Sequence, residues 1–242
     1  LIPQGVYMGR CGGGGTVCGV SDSEPSPLAV GPWRRRSRVV AYANPWIEVV
    51  HDEVDQPDGS PGIYGVVHFR NVAVGVVAVD DEGRLLLVGQ HRYALDAYSW
   101  EIPAGGAPLD EDPLVGARRE LAEETGYESS AWQVLARFSL SNSVTDERGV
   151  LFLATGLRAG MAAPEPSEEL ALRWASLDDV LARIASGEIH DILTITGVTR
   201  YALQLREAGT KRGNRPPTSE QRGTRGTPLT PRYPARGWLG SS

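Results

Sequence analysis

The 242-residue chain has only two cysteines, Cys11 and Cys18, so it offers neither a disulfide scaffold nor a four-cysteine zinc ribbon. Sparse thiols outside the segment that carries the motifs point to a reducing, cytoplasmic compartment. No apolar run approaches the roughly 18 residues that span a bilayer, and a membrane partner is not expected. His68, His91 and His190 show no metal-ligand spacing. The formal charge of −6 argues against nucleic acid as a specific partner. Enough apolar residues are present, at 41%, to build a core and exclude full disorder.

Both ends differ in composition from the middle. Residues 1–41 hold a glycine run from Gly12 to Gly15, a Ser/Pro stretch and a basic cluster from Arg34 to Arg38. They show no sustained period of two or 3.6 and no order of charge, apolar core and cleavage site typical of a secretory leader. Residues 1–41 therefore read as a disordered or poorly packed extension. Residues 209–242 are rich in Gly, Pro, Thr and Arg and read as a disordered basic tail. From Arg206 onward eight basic side chains face Glu207 and Glu220, which leaves the rest of the chain near −12. The folded domain is expected over 42–208.

Within it, Ile63–Phe69 and Val72–Val79 read as strands, and Asp80-Asp81-Glu82-Gly83 turns the chain into a returning strand at Arg84–Val88. Val150–Ala154 and Leu170–Trp174 are further strands. Ser176 opens a helix that Gly187 closes, and Asp191 caps a last helix to about Leu205. Strands mixed with a central helix and late helices predict an α/β sandwich.

The chemistry concentrates in Pro103–Tyr127. Asp112 suits an N-cap, Pro113 the first helical position and Gly126 the C-terminal stop, which predicts a helix of about thirteen residues. Leu114, Ala117 and Leu121 form its apolar face. Glu120, Glu123 and Glu124 fall at i, i+3 and i+4, so three carboxylates share one side. Like charges at these spacings repel, and the helix dipole disfavours the last two. Such a cluster invites a cation, and hard oxygen donors select Mg²⁺ or Mn²⁺ over zinc. The plain alternative is a solvated acidic face.

Gly105, five residues, Glu111, seven residues and then Arg119-Glu120-Leu121-Ala122-Glu123-Glu124-Thr125-Gly126-Tyr127 resembles the Nudix box, with every fixed position matched. Gln90-His91-Arg92-Tyr93, Ser99–Gly105 and Gly187–Asp191 are similar to the ADP-ribose pyrophosphatase branch. Asn44-Pro45-Trp46 and Gly62-Ile63-Tyr64-Gly65 resemble the N-terminal strands of nucleoside diphosphate sugar hydrolases. The resemblance implies an α/β/α Nudix sandwich with a mixed sheet and an N-terminal strand extension. It also implies a homodimer and Mg²⁺-dependent cleavage of a nucleoside diphosphate sugar to a nucleoside monophosphate and a sugar phosphate. Asn142 stands where the ADP-ribose branch carries a proline, so ADP-ribose and GDP-mannose types both stay open.

By the same resemblance Glu120 and Glu124 are direct metal ligands, Glu123 assists in catalysis and ligation, and the Ala104 carbonyl completes the shell. Gly105, Glu111, Arg119 and Gly126 are structural, with Arg119 and Glu111 paired to hold the motif together. Glu168, or its neighbour Glu169, is the expected general base. Arg92 suits a phosphate, because a guanidinium offers a bidentate fork. Glu101 is expected to bind substrate or support the metal shell, and Trp46 and Tyr64 to stack on the base or pack. The contrasting reading is a Nudix-like module that senses a nucleotide sugar without cleaving it. Sensing versions usually lose box carboxylates, and here all are present.

Overall fold

Strands apolar on both faces build the central layer of the protein. In the computed structural model, which describes residues 28–160 and 170–213, β5 (Asn71–Ala78) turns Val74, Val76 and Ala78 to one side and Val77 to the other. β10 (Arg148–Ala159) likewise places Val150, Phe152 and Ala154 opposite Leu151 and Leu153. β6 (Arg84–Arg92) sets Leu86 against Leu85 and Leu87. Strands buried on both faces need apolar residues at consecutive positions, which is why these read as continuous runs. β5 and β10 pair in parallel, from Ala73↔Gly149 to Ala78↔Ala154.

The helices cover the two sides. α1 (Pro113–Thr125) supplies Ala117 and Leu121 to one core cluster. α2 (Leu177–Ser186) and α3 (Ile192–Gly213) supply Val180, Val198 and Tyr201 to the other. This is the expected α/β/α layering with a mixed sheet. The strand orders are β8-β5-β10-β9 and β11-β6-β7, with β7 at Ala97–Glu101, β8 at Ala104–Pro108, β9 at Tyr127–Ser139 and β11 at Ala171–Ser176. A further antiparallel sheet, β1-β2-β3-β4, comprises Leu28–Val30, Trp33–Ala43, Ile47–Asp55 and Pro61–Phe69. The chain divides into two units, Leu1–Ala202 and Leu203–Ser242, and the described part of the second is the end of α3.

Both helix boundaries of α1 follow from local chemistry. The Asp112 side chain accepts from the Leu114 N–H at 2.9 Å. Gly126 adopts φ +71°, a left-handed cap that a side chain disfavours, and its N–H returns to the Ala122 carbonyl. Ser176 and Gly187 cap α2 in the same manner.

Three sequence expectations change. The boundary at 41 is too late, because β1 and β2 are strands; residues 1–27 lie outside the described residues. β2 is exposed along most of its length, so it lacks the apolar period that would reveal it; its ladder to β3 and cross-strand ion pairs of Arg36 and Arg38 hold it. α3 continues past 208 to Gly213, and the rest of the expected tail lies outside the described residues. β9 was not expected as a strand. It lies at a sheet edge, where few of its side chains are buried.

The ion pair that fastens β2 also sets a pH dependence. Arg38 binds Asp52 through two parallel bonds of 2.7 and 2.8 Å, and Asp52 is only 5% exposed. That bond to Arg38 outweighs burial and holds the Asp52 carboxyl below its usual range. The stabilisation is therefore complete above the ordinary carboxylate pKa and is lost as pH falls through the lowered one. Arg38→Ala should cost about 1–3 kcal/mol at neutral pH, by leaving a buried carboxylate unpaired. The deficit should shrink below about pH 4. Urea denaturation of both proteins at pH 7 and pH 3 checks this, and a deficit unchanged at low pH would refute it.

Candidate active site

α1 lies against β8, and its carboxylates land on the strand's backbone. Glu120 Oε1 accepts from the Gly106 N–H at 3.1 Å, and Glu124 Oε2 accepts from the Ala104 N–H at 3.0 Å. Two acidic groups one helical turn apart thus meet alternate residues of one strand. These N–H donors offset part of the repulsion between the carboxylates and the unfavourable dipole at the helix end.

The spacing between them explains Gly105. A Cβ at that position would lie 2.1 Å from the carboxylate carbon of Glu120. Close packing further along is allowed by Gly116, where a Cβ would come within 2.6 Å of the Ala107 side chain. Arg119 locks the arrangement: one guanidinium nitrogen donates to both Glu111 oxygens at 2.9 and 3.1 Å, and another to the Gly106 carbonyl at 3.1 Å. Its bond to Glu111 raises the Arg119 pKa, with the fields of Glu120 and Glu123 adding to it against burial. The expected Glu111–Arg119 pair is therefore present, and it holds the loop ahead of α1 to the helix and to β8.

Arg92 and Glu101 come together from the ends of β6 and β7. Arg92 Nε and Nη2 donate to the two Glu101 oxygens at 3.0 and 2.5 Å, and the Glu101 side chain is 5% exposed. The bond to Glu101 raises the Arg92 pKa against burial, and Glu101, Glu124 and Asp191 add to the effect through their charges. Arg92 is thus a fixed cation within the field of Glu124 on α1, and its side chain stays 39% exposed. The sequence singled out both residues but not their mutual pairing, which depends on a hairpin register joining Val88 to Glu101 and Arg92 to Ala97.

The other expected site residues lie elsewhere or are not described. Tyr64 on β4 donates to the Ser143 carbonyl at 2.6 Å and meets Trp33 edge to face. Trp46, in the turn between β2 and β3, is 66% exposed, with its N–H on the Asn44 side chain. Glu168 and Glu169 lie outside the described residues.

Among the described residues, no three His, Cys, Asp or Glu side chains form a ready cation cluster. The donors at hand are nevertheless those a hard cation takes: the carboxylates of Glu120 and Glu124, and the carbonyl of Ala104, the residue whose N–H meets Glu124. Gly105 leaves the Glu120 carboxylate a cradle that a single Cβ would fill. By the chemistry of their oxygen donors, these residues fit a hard divalent cation.

Comparison with known proteins identifies the family. Residues 69–193 match the NUDIX domain model, and residues 33–67 match that of the nucleoside diphosphate sugar hydrolase N-terminal domain. The chain belongs to the NUDIX family. It is a hydrolase of pyrophosphate-type bonds, and members of this family generally require divalent metal ions. It is 37% identical over 152 residues to an ADP-ribose pyrophosphatase of Mycobacterium tuberculosis, covering 61% of this chain and 72% of that one. A methanol dehydrogenase activator of Bacillus methanolicus is also 37% identical, over 159 residues, covering 65% and 84%. A solved ADP compounds hydrolase shares the fold with a TM-score of 0.67 at 17% identity, covering 78% of this chain and 99% of that one.

Gly105→Ala tests the cradle. The added methyl must displace the Glu120 carboxylate, so turnover should fall about 100-fold, the scale of a 1 Å misplacement. Thermal unfolding followed by circular dichroism should still show a cooperative transition. Wild-type turnover in this variant would mean that Glu120 does not work from this position.

Proposed function

We propose that the protein hydrolyses the diphosphate linkage of a nucleoside diphosphate sugar, of ADP-ribose or GDP-mannose type, to a nucleoside monophosphate and a sugar phosphate. The observation that carries the reading is the pair Glu120 and Glu124 held on the β8 backbone beside a fixed Arg92. The N-terminal match over 33–67 supports the substrate class. Mg²⁺, with Mn²⁺ as a substitute, would be held by Glu120, Glu124 and the Ala104 carbonyl, with Glu123 assisting. When bound, such a cation would offset the charge of the diphosphate and make water more acidic.

The protein's own residues do the rest. Arg92, kept charged and oriented by Glu101, offers its free face to a phosphate oxygen. Glu111 and Arg119 keep the carboxylates in place against their mutual repulsion. Glu168, or Glu169, takes the proton of the attacking water. Trp46 and Tyr64 belong to the N-terminal sheet, where base stacking or subunit packing is their part. A homodimer is supported by that sheet's exposed apolar residues, among them Val39, Val40, Tyr42 and Ile63, each more than half exposed. No helix among the described residues is long and apolar enough to cross a membrane, a statement that leaves β-barrels aside. The cytoplasmic assignment rests on the scarcity of cysteine. A sensing role without catalysis is the second reading, and the intact carboxylate set weighs against it.

The test is a Mg²⁺-dependent substrate panel of nucleotide sugars run on variants. Glu120→Gln and Glu124→Gln should raise the metal requirement and recover partly at high Mg²⁺. Glu168→Gln should keep its metal affinity and lose about 10²–10⁴-fold in turnover, the range for a missing general base. If no member of the panel is cleaved by the wild type, the proposed activity is wrong. If Glu168→Gln is fully active and Glu169→Gln is not, the base is Glu169.

A further inference from the structure

Between β7 and β8 the chain crosses from one sheet to another through two residues, Ile102 and Pro103. On either side stand functional groups: Glu101, which holds Arg92, and Ala104, whose N–H holds Glu124. The β6–β7 pairing ends at Glu101, so Ile102 leaves the ladder, and proline has no N–H to give. Two bonds secure the crossing. The Pro103 carbonyl accepts from the Val76 N–H at 2.8 Å. The Ile102 N–H donates to Thr194 Oγ at 2.9 Å, from a residue 92 positions away on α3.

Thr194 is fully buried, and its hydroxyl has no freedom of direction. It donates to Asp191 Oδ2 at 2.7 Å, the same oxygen that accepts the Thr194 N–H at 2.7 Å. A carboxylate accepts only, so the hydroxyl proton must point to Asp191 and a lone pair must face Ile102. Helix approach makes the reach possible. At Gly197, on the same face of α3, a Cβ would lie 2.9 Å from Val77 and 3.3 Å from the Ile102 side chain. Val198 and Tyr201 bury the rest of that face. Asp191 also belongs to the charges that surround Arg92.

We propose that Thr194 is a positioning residue of the active site, its hydroxyl oriented by Asp191 and setting where Glu101 and Ala104 stand against α1. A helix cap alone would need Asp191 and a backbone N–H; it would not need a buried hydroxyl turned towards the crossing. The assignment rests on the reading of Glu120 and Glu124 as cation ligands.

Thr194→Val keeps the shape, removes the acceptor and leaves the Ile102 N–H unpaired. Two readouts on the full chain test it: Mn²⁺ uptake by the substrate-free protein, followed by electron paramagnetic resonance, and kcat and KM on a nucleoside diphosphate sugar. The variant should bind Mn²⁺ several-fold more weakly and lose roughly tenfold to 100-fold in kcat, as for other small misplacements, with KM changed much less. Thr194→Ser, which restores the hydroxyl, should return both to within about twofold of wild type. If Thr194→Val is merely less heat-stable, with wild-type Mn²⁺ affinity and kcat, Thr194 is a packing residue and the proposal fails. It fails equally if Thr194→Ser behaves like Thr194→Val. Should Thr194→Val not fold, Asp191→Asn keeps the cap and removes the orienting charge; it should weaken Mn²⁺ binding in the same direction, and unchanged affinity there overturns the proposal. Wild-type protein that takes up no Mn²⁺ overturns the functional reading and this assignment together; wild-type uptake with an indifferent Thr194→Val overturns the assignment alone.

Discussion

Placing Glu120 and Glu124 one helical turn apart, on the disfavoured end of a helix dipole, creates a repulsion that the surrounding structure must hold in check. The Gly106 and Ala104 N–H groups of β8 do so directly, and Arg119 does so from the other side through Glu111 and the Gly106 carbonyl. Each solution constrains a further residue. The carboxylate of Glu120 leaves no room for a Cβ at 105, and close helix–strand approach leaves none at 116. The fold is arranged so that one strand, β8, meets α1 on one side and joins β5 along its length. The apolar alternation of β5 and β10 is then what anchors the charged edge to a solid core.

What could be read from the sequence was what local chemistry encodes. Asp112, Pro113 and Gly126 mark α1 to the residue, because caps act within a few positions of the helix end. The box spacing and its carboxylates are a linear pattern, as is the turn at Asp80–Gly83. The α/β class followed from the order of strands and helices, and the α/β/α layering from the family resemblance. Less legible were features made by distant partners. β2 is fastened by Arg38 to Asp52 and exposes its own side chains, so nothing in its run marks a strand. β9 sits on an edge and shows the same weakness. The pairing of Arg92 with Glu101 needs a hairpin register, and Thr194 meets Ile102 only after α3 has docked.

The same distinction separates what identifies the family from what selects a substrate. On the proposed reading, the carboxylates, Gly105 and Arg119 would serve any diphosphate, since they would deal with phosphate charge and a hard cation. On that reading, selection among nucleotide sugars would fall to contacts with the base and the second sugar. The loop that carries Asn142 is fixed to β4 by the Tyr64 hydroxyl on Ser143 and by Asp146, which binds His68 at 2.7 Å and the Phe69 N–H at 3.0 Å. That connection ties the loop to β4 of the N-terminal sheet.

Labelled water tests the central claim most directly. Full-length protein, Mg²⁺ and ADP-ribose or GDP-mannose are incubated in ¹⁸O-water, and the products are weighed by mass spectrometry. The expected result is a nucleoside monophosphate and a sugar phosphate, with a single labelled oxygen on one of the two phosphates. Intact substrate recovered from a saturated complex, with no label in any phosphate, would contradict it.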